Sequence, residues 1–145
     1  MSEPVRASAH QAPEGTDDKT VEGAGKLSEA FEYVERARGH LYSFHQLTGR
    51  ADFLVEEAAD LLRDAGNAEL ADRLDEELVG RNVLDGRWTF QVVEEYDDTY
   101  YSFFRDLERE ATDELMGGVR HVHEARLKER RRTNGEPAHE TDPHG

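Results

Sequence analysis

Between Asp85 and about Arg132, apolar and aromatic residues recur at three-, four- and seven-residue intervals: Val93, Tyr96, Tyr100, Phe103, Phe104, Leu107, Ala111, Leu115 and Val122. That is the period of a helix burying one stripe. No stretch of the sequence alternates as a strand would. One uninterrupted helix over this span would be ~70 Å long at 1.5 Å per residue. The other helical segments are shorter, so part of such a rod projects beyond them and needs a partner. Asp85 reads as its N-cap. Gly117-Gly118 is its weak point, because each glycine costs about 1 kcal/mol against alanine in a helix interior, and a kink or break is expected there.

Three shorter helices precede it. The first spans about Lys26 to Leu47, with Leu27, Phe31, Val34, Leu41 and Phe44 inward, Ala30 and Ala37 beside them, and Thr48-Gly49 as its end. The second spans about Asp52 to Ala65, with Leu54, Ala58, Leu61, Leu62 and Ala65 inward. Gly66-Asn67 closes it, and Asn67 caps a third helix from Ala68 to Val79 carrying Leu70, Ala71, Leu74 and Leu78. The second and third helices form a helical hairpin. Gly80 to Gly86 is a loop whose Val83 and Leu84 fold back over the bundle. The expected fold is all-α: a small bundle of three shorter helices packed on one long C-terminal helix, about 86–132. The domain covers 26–132. Residues 1–25 and 133–145, rich in Pro, Gly and polar residues, are expected to be disordered tails. The second tail carries His139 and His144.

Charge narrows the function. The formal net charge of −15 repels phosphate backbones and anionic membranes, which argues against nucleic acid as a partner of the main body. One basic run, Arg126 to Arg132, ends the long helix, where positive charge complements the helix dipole. It also offers a docking patch for an acidic partner, such as the body of a second copy. There is no cysteine, so disulfides, thiolate metal sites and cysteine nucleophiles are excluded. The N-terminal residues lead into no apolar run, and no stretch approaches a membrane span, so the expectation is a cytoplasmic protein without membrane contact.

His45 is the most informative single residue. It falls near the centre of the first helix's apolar stripe, and Arg38 lies on the same side two turns earlier. Polar groups on a buried stripe need partners. Asp97, bordering the inward face of the long helix, supplies a carboxylate, as does Glu57. One reading is a satisfied core network. The other is a ligand-binding site of His45, Arg38 and Asp97 with Tyr42, Tyr96 and Tyr100, inside a cavity between helices. Tyr33 offers a further hydroxyl to it, and Phe103 and Phe104 read as core. Trp88 reads as closing the end of the core.

No metal site emerges from spacing. The Glu-x-x-His pairs of di-iron bundles are absent, since Glu35 and His40 are five residues apart, as are His40 and His45. His121 and His123 stand about 200° apart on a helix. Glu94 and Asp98 read as a solvated face. No serine triad or phosphate loop is present: Ser43 and His45 point apart, and Gly117-Gly118 lacks the following Lys and Ser or Thr. No cofactor and no catalytic residue is expected.

The run from Glu77 through Gly80-Arg-Asn-Val-Leu-Asp-Gly-Arg-Trp88 to Tyr101, and the segment Gly39-His-Leu-Tyr-Ser-Phe-His-Gln-Leu-Thr-Gly49, resemble an uncharacterised family of small helical proteins from high-GC actinobacteria. The resemblance covers about Arg36 to Arg109 and implies no activity and no site residues. The expected function is therefore a non-enzymatic, self-associating helical interaction protein: a homodimer through the long helix, with an unidentified protein partner as a further option.

Overall fold

The computed structural model describes residues 10–143. It is all-α: among these residues there is no strand, and the single isolated β-bridge joins Leu84 to Arg87. The longest helix is the first one. Helix α1 runs over Asp18–Asp64, 47 residues. It starts inside the stretch expected to be a tail, because Asp17 caps it: its Oδ1 accepts the Thr20 backbone N–H at 2.8 Å. That hydrogen bond also holds the Asp17 carboxyl below its ordinary range.

The helix passes through Thr48-Gly49, where an end was expected, so the first and second predicted helices are one. The reason is that the inward spacing never breaks. Leu41, His45, Thr48, Asp52, Val55 and Ala59 follow one another at steps of three and four. A lone glycine costs about 1 kcal/mol, too little to end a helix whose packing face continues on both sides. The expected arrangement, three short helices on one long C-terminal helix, is replaced accordingly.

Helix α1 ends in a Schellman turn. Gly66 adopts φ +90°, its N–H bonds to Arg63 O at 3.1 Å, and the Asn67 N–H bonds to Leu62 O at 2.8 Å. Asn67 then precedes α2 (Ala68–Arg73), but its side chain makes no cap hydrogen bond. A π-helical turn, Leu74–Leu78, extends α2. Arg63 ties it to α1 through Asp72 at 3.1 Å and Asp75 at 2.7 Å. Ala59 and Ala71 are fully buried.

Helix α3 (Thr89–Tyr96) begins later than expected. Asp85 does not cap it. Asp85-Gly86 instead forms the tip of a tight turn in which Arg87 N–H bonds to Leu84 O at 3.0 Å and Gly86 takes φ +70°. Gln91 closes the helix start by accepting the Trp88 backbone N–H at 2.8 Å. A π-helical turn (Asp97–Tyr101) and helix α4 (Ser102–Met116) follow directly. The helix then stops. Gly117, Gly118 and His121 all have positive φ, and α5 (Val122–Arg131) starts afresh. The expected single helix over 86–132 is thus interrupted where the paired glycines stand. Pro137–His139 forms one 3₁₀ turn within the stretch expected to be a tail, and His144 lies outside the described residues.

The π turn decides which residues face inward. Thr89, Val93, Asp97 and Tyr101 follow at steps of four, whereas an α-helix would drift by about 40° at each such step. The wider turn absorbs that drift. Of the predicted stripe, Val93 and Val122 are buried and Phe104 and Ala111 half-buried, but Tyr101 is buried in place of the exposed Tyr100, and Phe103 is 67% exposed. Leu107 and Leu115 are exposed while Met116 is buried.

The chain forms two compact units, one from residues 34–102 and one from the residues on either side. In the second, Val21, Ala24, Met116 and Val122 make a small core joined by Ala12 and Val119. Phe31 stacks on Phe104 with centroids 5.9 Å apart. Ser28 donates to Glu108 Oε1 at 2.8 Å.

Candidate functional site

Within the unit formed by residues 34–102, the inward face of α1 meets α3 and its π turn through polar groups. Arg38 lies one turn before Tyr42 and two before His45, so all three project to one side of α1. The Arg38 guanidinium grips Asp97 as a fork, Nε to Oδ1 at 2.7 Å and Nη2 to Oδ2 at 3.0 Å. Tyr42 Oη–H donates to Asp97 Oδ2 at 3.2 Å. Arg38 also sits over the Tyr101 ring, 4.4 Å from its centroid, and the Tyr101 hydroxyl donates to Glu35. His45 is further along: its Nδ1 lies 2.6 Å from Thr89 Oγ1.

The electrostatics follow from this pairing. The Arg38 hydrogen bonds and charge hold the Asp97 carboxyl below its ordinary range, with the Tyr42 hydroxyl adding to the effect. Asp97 in turn pushes the Arg38 guanidinium above its ordinary range. Burial raises the Tyr96 phenol, and the neighbouring Tyr100 adds to this. Both carboxylate oxygens of Asp97 are engaged, and a forked Arg–Asp pair with a third donor is a satisfied unit with little capacity left for a ligand.

The structure brings some of the sequence-predicted residues together and separates others. Arg38, Asp97 and Tyr42 come together. His45 stands apart and takes a hydroxyl partner instead of a carboxylate. The Tyr96 and Tyr100 rings lie 5.6 Å apart with their planes tilted by 38°, and Tyr100 is exposed. Glu57 joins none of these contacts. Thr89, Tyr101 and Glu35 escaped the sequence reading. Thr89 sits one residue after Trp88 at a helix start, and Tyr101 reaches the inward face because of the π turn.

A groove of about 670 Å³ lies along the same unit, lined by Phe53, Val55, Leu78, Val83, Trp88 and the α1 backbone around Thr48-Gly49. It reaches Thr89 but neither Arg38, Tyr42 nor Asp97. Gly80 anchors its rim. Its N–H donates to Asp52 Oδ1 at 3.0 Å, and its carbonyl accepts Trp88 Nε1–H at 3.1 Å. Trp88, expected in the core, is 48% exposed because it forms this wall. The Asp85-Gly86 dipeptide was the available signal for the turn that presents it.

In the other unit, Glu32, His121 and Glu124 bring one ligand atom each within 4.8 Å of one another. Spacing could not reveal this set, since Glu32 is remote in sequence. All three are exposed, which leaves the cluster solvated. The donors converge only at the surface, where acidic groups commonly gather without an ion.

Comparison with protein-family models, with curated proteins and with solved structures returns no match. No helix among the described residues is long and apolar enough to cross a membrane.

Proposed function

We propose that this protein is a non-enzymatic, self-associating helical interaction module. One observation carries the reading: the apolar side chains that a single chain would bury lie outside. Among the described residues no large side chain is fully buried, while Leu47, Leu61 and Phe103 are each more than 65% exposed. Within residues 34–102 the inward contacts include ion pairs and hydroxyl hydrogen bonds, as between Arg38 and Asp97 and between His45 and Thr89. Exposed apolar area on this scale marks an association surface in a folded protein. The satisfied state of Arg38, Asp97 and Tyr42 supports a structural role for the polar cluster. Light scattering over micromolar concentrations tests the reading. A mass at least twice that of the 16.5 kDa chain is expected, and a monomer throughout would refute it.

A second reading rests on the Trp88 groove, whose volume suits a small apolar molecule. Trp88 is the only tryptophan, so its fluorescence reports directly on occupancy. A saturable shift with an apolar probe, abolished in Phe53→Ser, supports this reading, and an unresponsive spectrum removes it.

A further inference from the structure

Helix α1 carries a second heptad repeat, turned away from its intrachain face. Read at steps of seven, residues 37, 51, 58 and 65 are alanine, with Phe44 in the same series. The alternate series is His40, Leu47, Leu54 and Leu61. Together they step by three and four, the signature of a coiled-coil seam. The seam is open: Leu47 is 70%, Leu54 46% and Leu61 69% exposed.

Its position is set by the inward face. Each seam residue precedes an inward one, as Phe44 precedes His45 and Leu54 precedes Val55. The same holds on α3 and its π turn, where Tyr96 precedes Asp97 and Tyr100 precedes Tyr101. The two helices run antiparallel, since Arg38 meets Asp97 while the later His45 meets the earlier Thr89. In an antiparallel pair, stepping back one residue on each helix turns both stripes toward the same side. The seam and the exposed Tyr100 thus form one continuous apolar face. Phe53 lies on the opposite flank of α1, and the Trp88 groove reaches from it as far as Ala51 at the margin of the seam.

We infer that this face binds a second copy of the chain, with the two α1 helices antiparallel. The inference rests on the self-association reading and specifies its surface and orientation. Two features select this occupant. The first is size: antiparallel pairing sets the alanine series of one copy against the large series of the other, so Ala51 and Ala58 receive leucines. Parallel pairing in register would set alanine on alanine and leucine on leucine, alternating gap with crowding. The second is charge. The seam's edge, again at steps of seven, runs Arg36, Ser43, Arg50, Glu57, Asp64. An antiparallel copy lays its acidic end against the basic end, twice by symmetry. A parallel copy lays this edge beside the uncharged edge of Leu41, Thr48, Val55 and Leu62 and gains no such pairing.

The test uses the full chain. In light scattering and sedimentation, Leu47→Glu with Leu54→Glu is expected to raise the dissociation constant at least 100-fold with unchanged helicity. Phe53→Glu, on the other flank, is expected to leave it unchanged. If the unmodified chain is monomeric, both the reading and the inference fall. If it associates and the double variant still does, or Phe53→Glu dissolves it, the surface is wrong and self-association stands. Orientation is read from spin labels on single cysteines, which this cysteine-free chain allows. Labels at Arg50→Cys, near the midpoint, are expected close together, and labels at Arg36→Cys roughly 45 Å apart from a 1.5 Å rise per residue. Short distances at both sites would overturn the antiparallel arrangement.

Discussion

The two long faces of α1 within residues 34–102 contrast in chemistry. The face turned to α3 and α2 sets Arg38, His45, Thr48 and Asp52 among Leu41, Val55 and Ala59. The face turned away holds the exposed Phe44, Leu47, Leu54 and Leu61. An ordinary amphipathic helix keeps most of its polar groups on the outer face and its large apolar ones on the inner. Polar contacts inside contribute little net stability, since desolvation offsets most of the electrostatic gain, but they reject wrong registers because a slipped helix leaves charges unpaired. Apolar contacts are undirected and scale with area. The contrast teaches a division of labour: the inner face fixes how the chain folds on itself, and the outer face supplies the free energy of assembly.

The largest expected effect falls on the outer face. A symmetric contact uses each residue twice, so replacing Leu61 alone by Glu removes two leucines from the interface. At about 1.5 kcal/mol or more per buried leucine, the dissociation constant should rise by roughly 100-fold or more. Sedimentation equilibrium measures it. Stability of the separated chain should barely change, since Leu61 makes little intrachain burial. An equal loss in both would show that the two faces are not separate.

Next comes the inner face. Asp97→Leu strips Arg38 of its main partner, on a pair whose side chains are 30% and 23% exposed. Partial exposure allows water to replace some of the loss, so the expected cost is about 1–2 kcal/mol in chemical denaturation. Pairing Asp97→Leu with Arg38→Met should recover most of it, because both charges are then gone. A double variant as unstable as the sum of the two singles would mean that the fork contributes real net stability.

How much of this division could be read from sequence depends on the element. The Arg38–Asp97 pair was legible because each residue sits at a definite phase of its own helix and the charges are opposite. The helical class was legible from period alone. The continuity of α1 was not: Gly49 has the look of a helix end, and only the packing on both sides of it overrules that. The inward register after Tyr96 was also hidden. A π turn inserts one residue's worth of rotation, and the sequence Tyr-Asp-Asp-Thr-Tyr-Tyr fits either Tyr100 or Tyr101 inward. The outer seam was in the sequence as a heptad, but Leu54 and Leu61 were read as core because nothing in the spacing distinguishes a face covered by the same chain from one left open.

Acid sharpens the comparison further. The folded Asp97 carboxyl titrates below its unfolded value of about 3.9, so the pair's stabilisation is complete above that value and is lost as pH falls through the lowered one. Denaturation curves of the unmodified chain and Asp97→Asn should differ by a constant amount from pH 7 to 5 and converge below about pH 4. A gap that widens in acid would assign the shift the wrong sign. The outer face carries its carboxylates, Glu57 and Asp64, only at the seam's edge and has His40 within the seam, so association should follow a different pH course.

The smallest effect expected is at the end of the inner face. Thr89 is buried, its hydroxyl reaches His45 Nδ1 at 2.6 Å, and its backbone opens α3. Thr89→Val keeps the shape and removes the hydroxyl. His45 is half-buried, so water can replace the lost partner, and the net cost should stay near or below 1 kcal/mol. Thr89→Ala removes the methyl as well and should cost more, through the space left beside Val93. If the two variants cost the same, the hydroxyl carries the contribution and the inner face is specified by hydrogen bonding even where no charge is present. If only alanine costs, packing dominates at this end, and the polar character of the inner face is confined to the turns around Arg38.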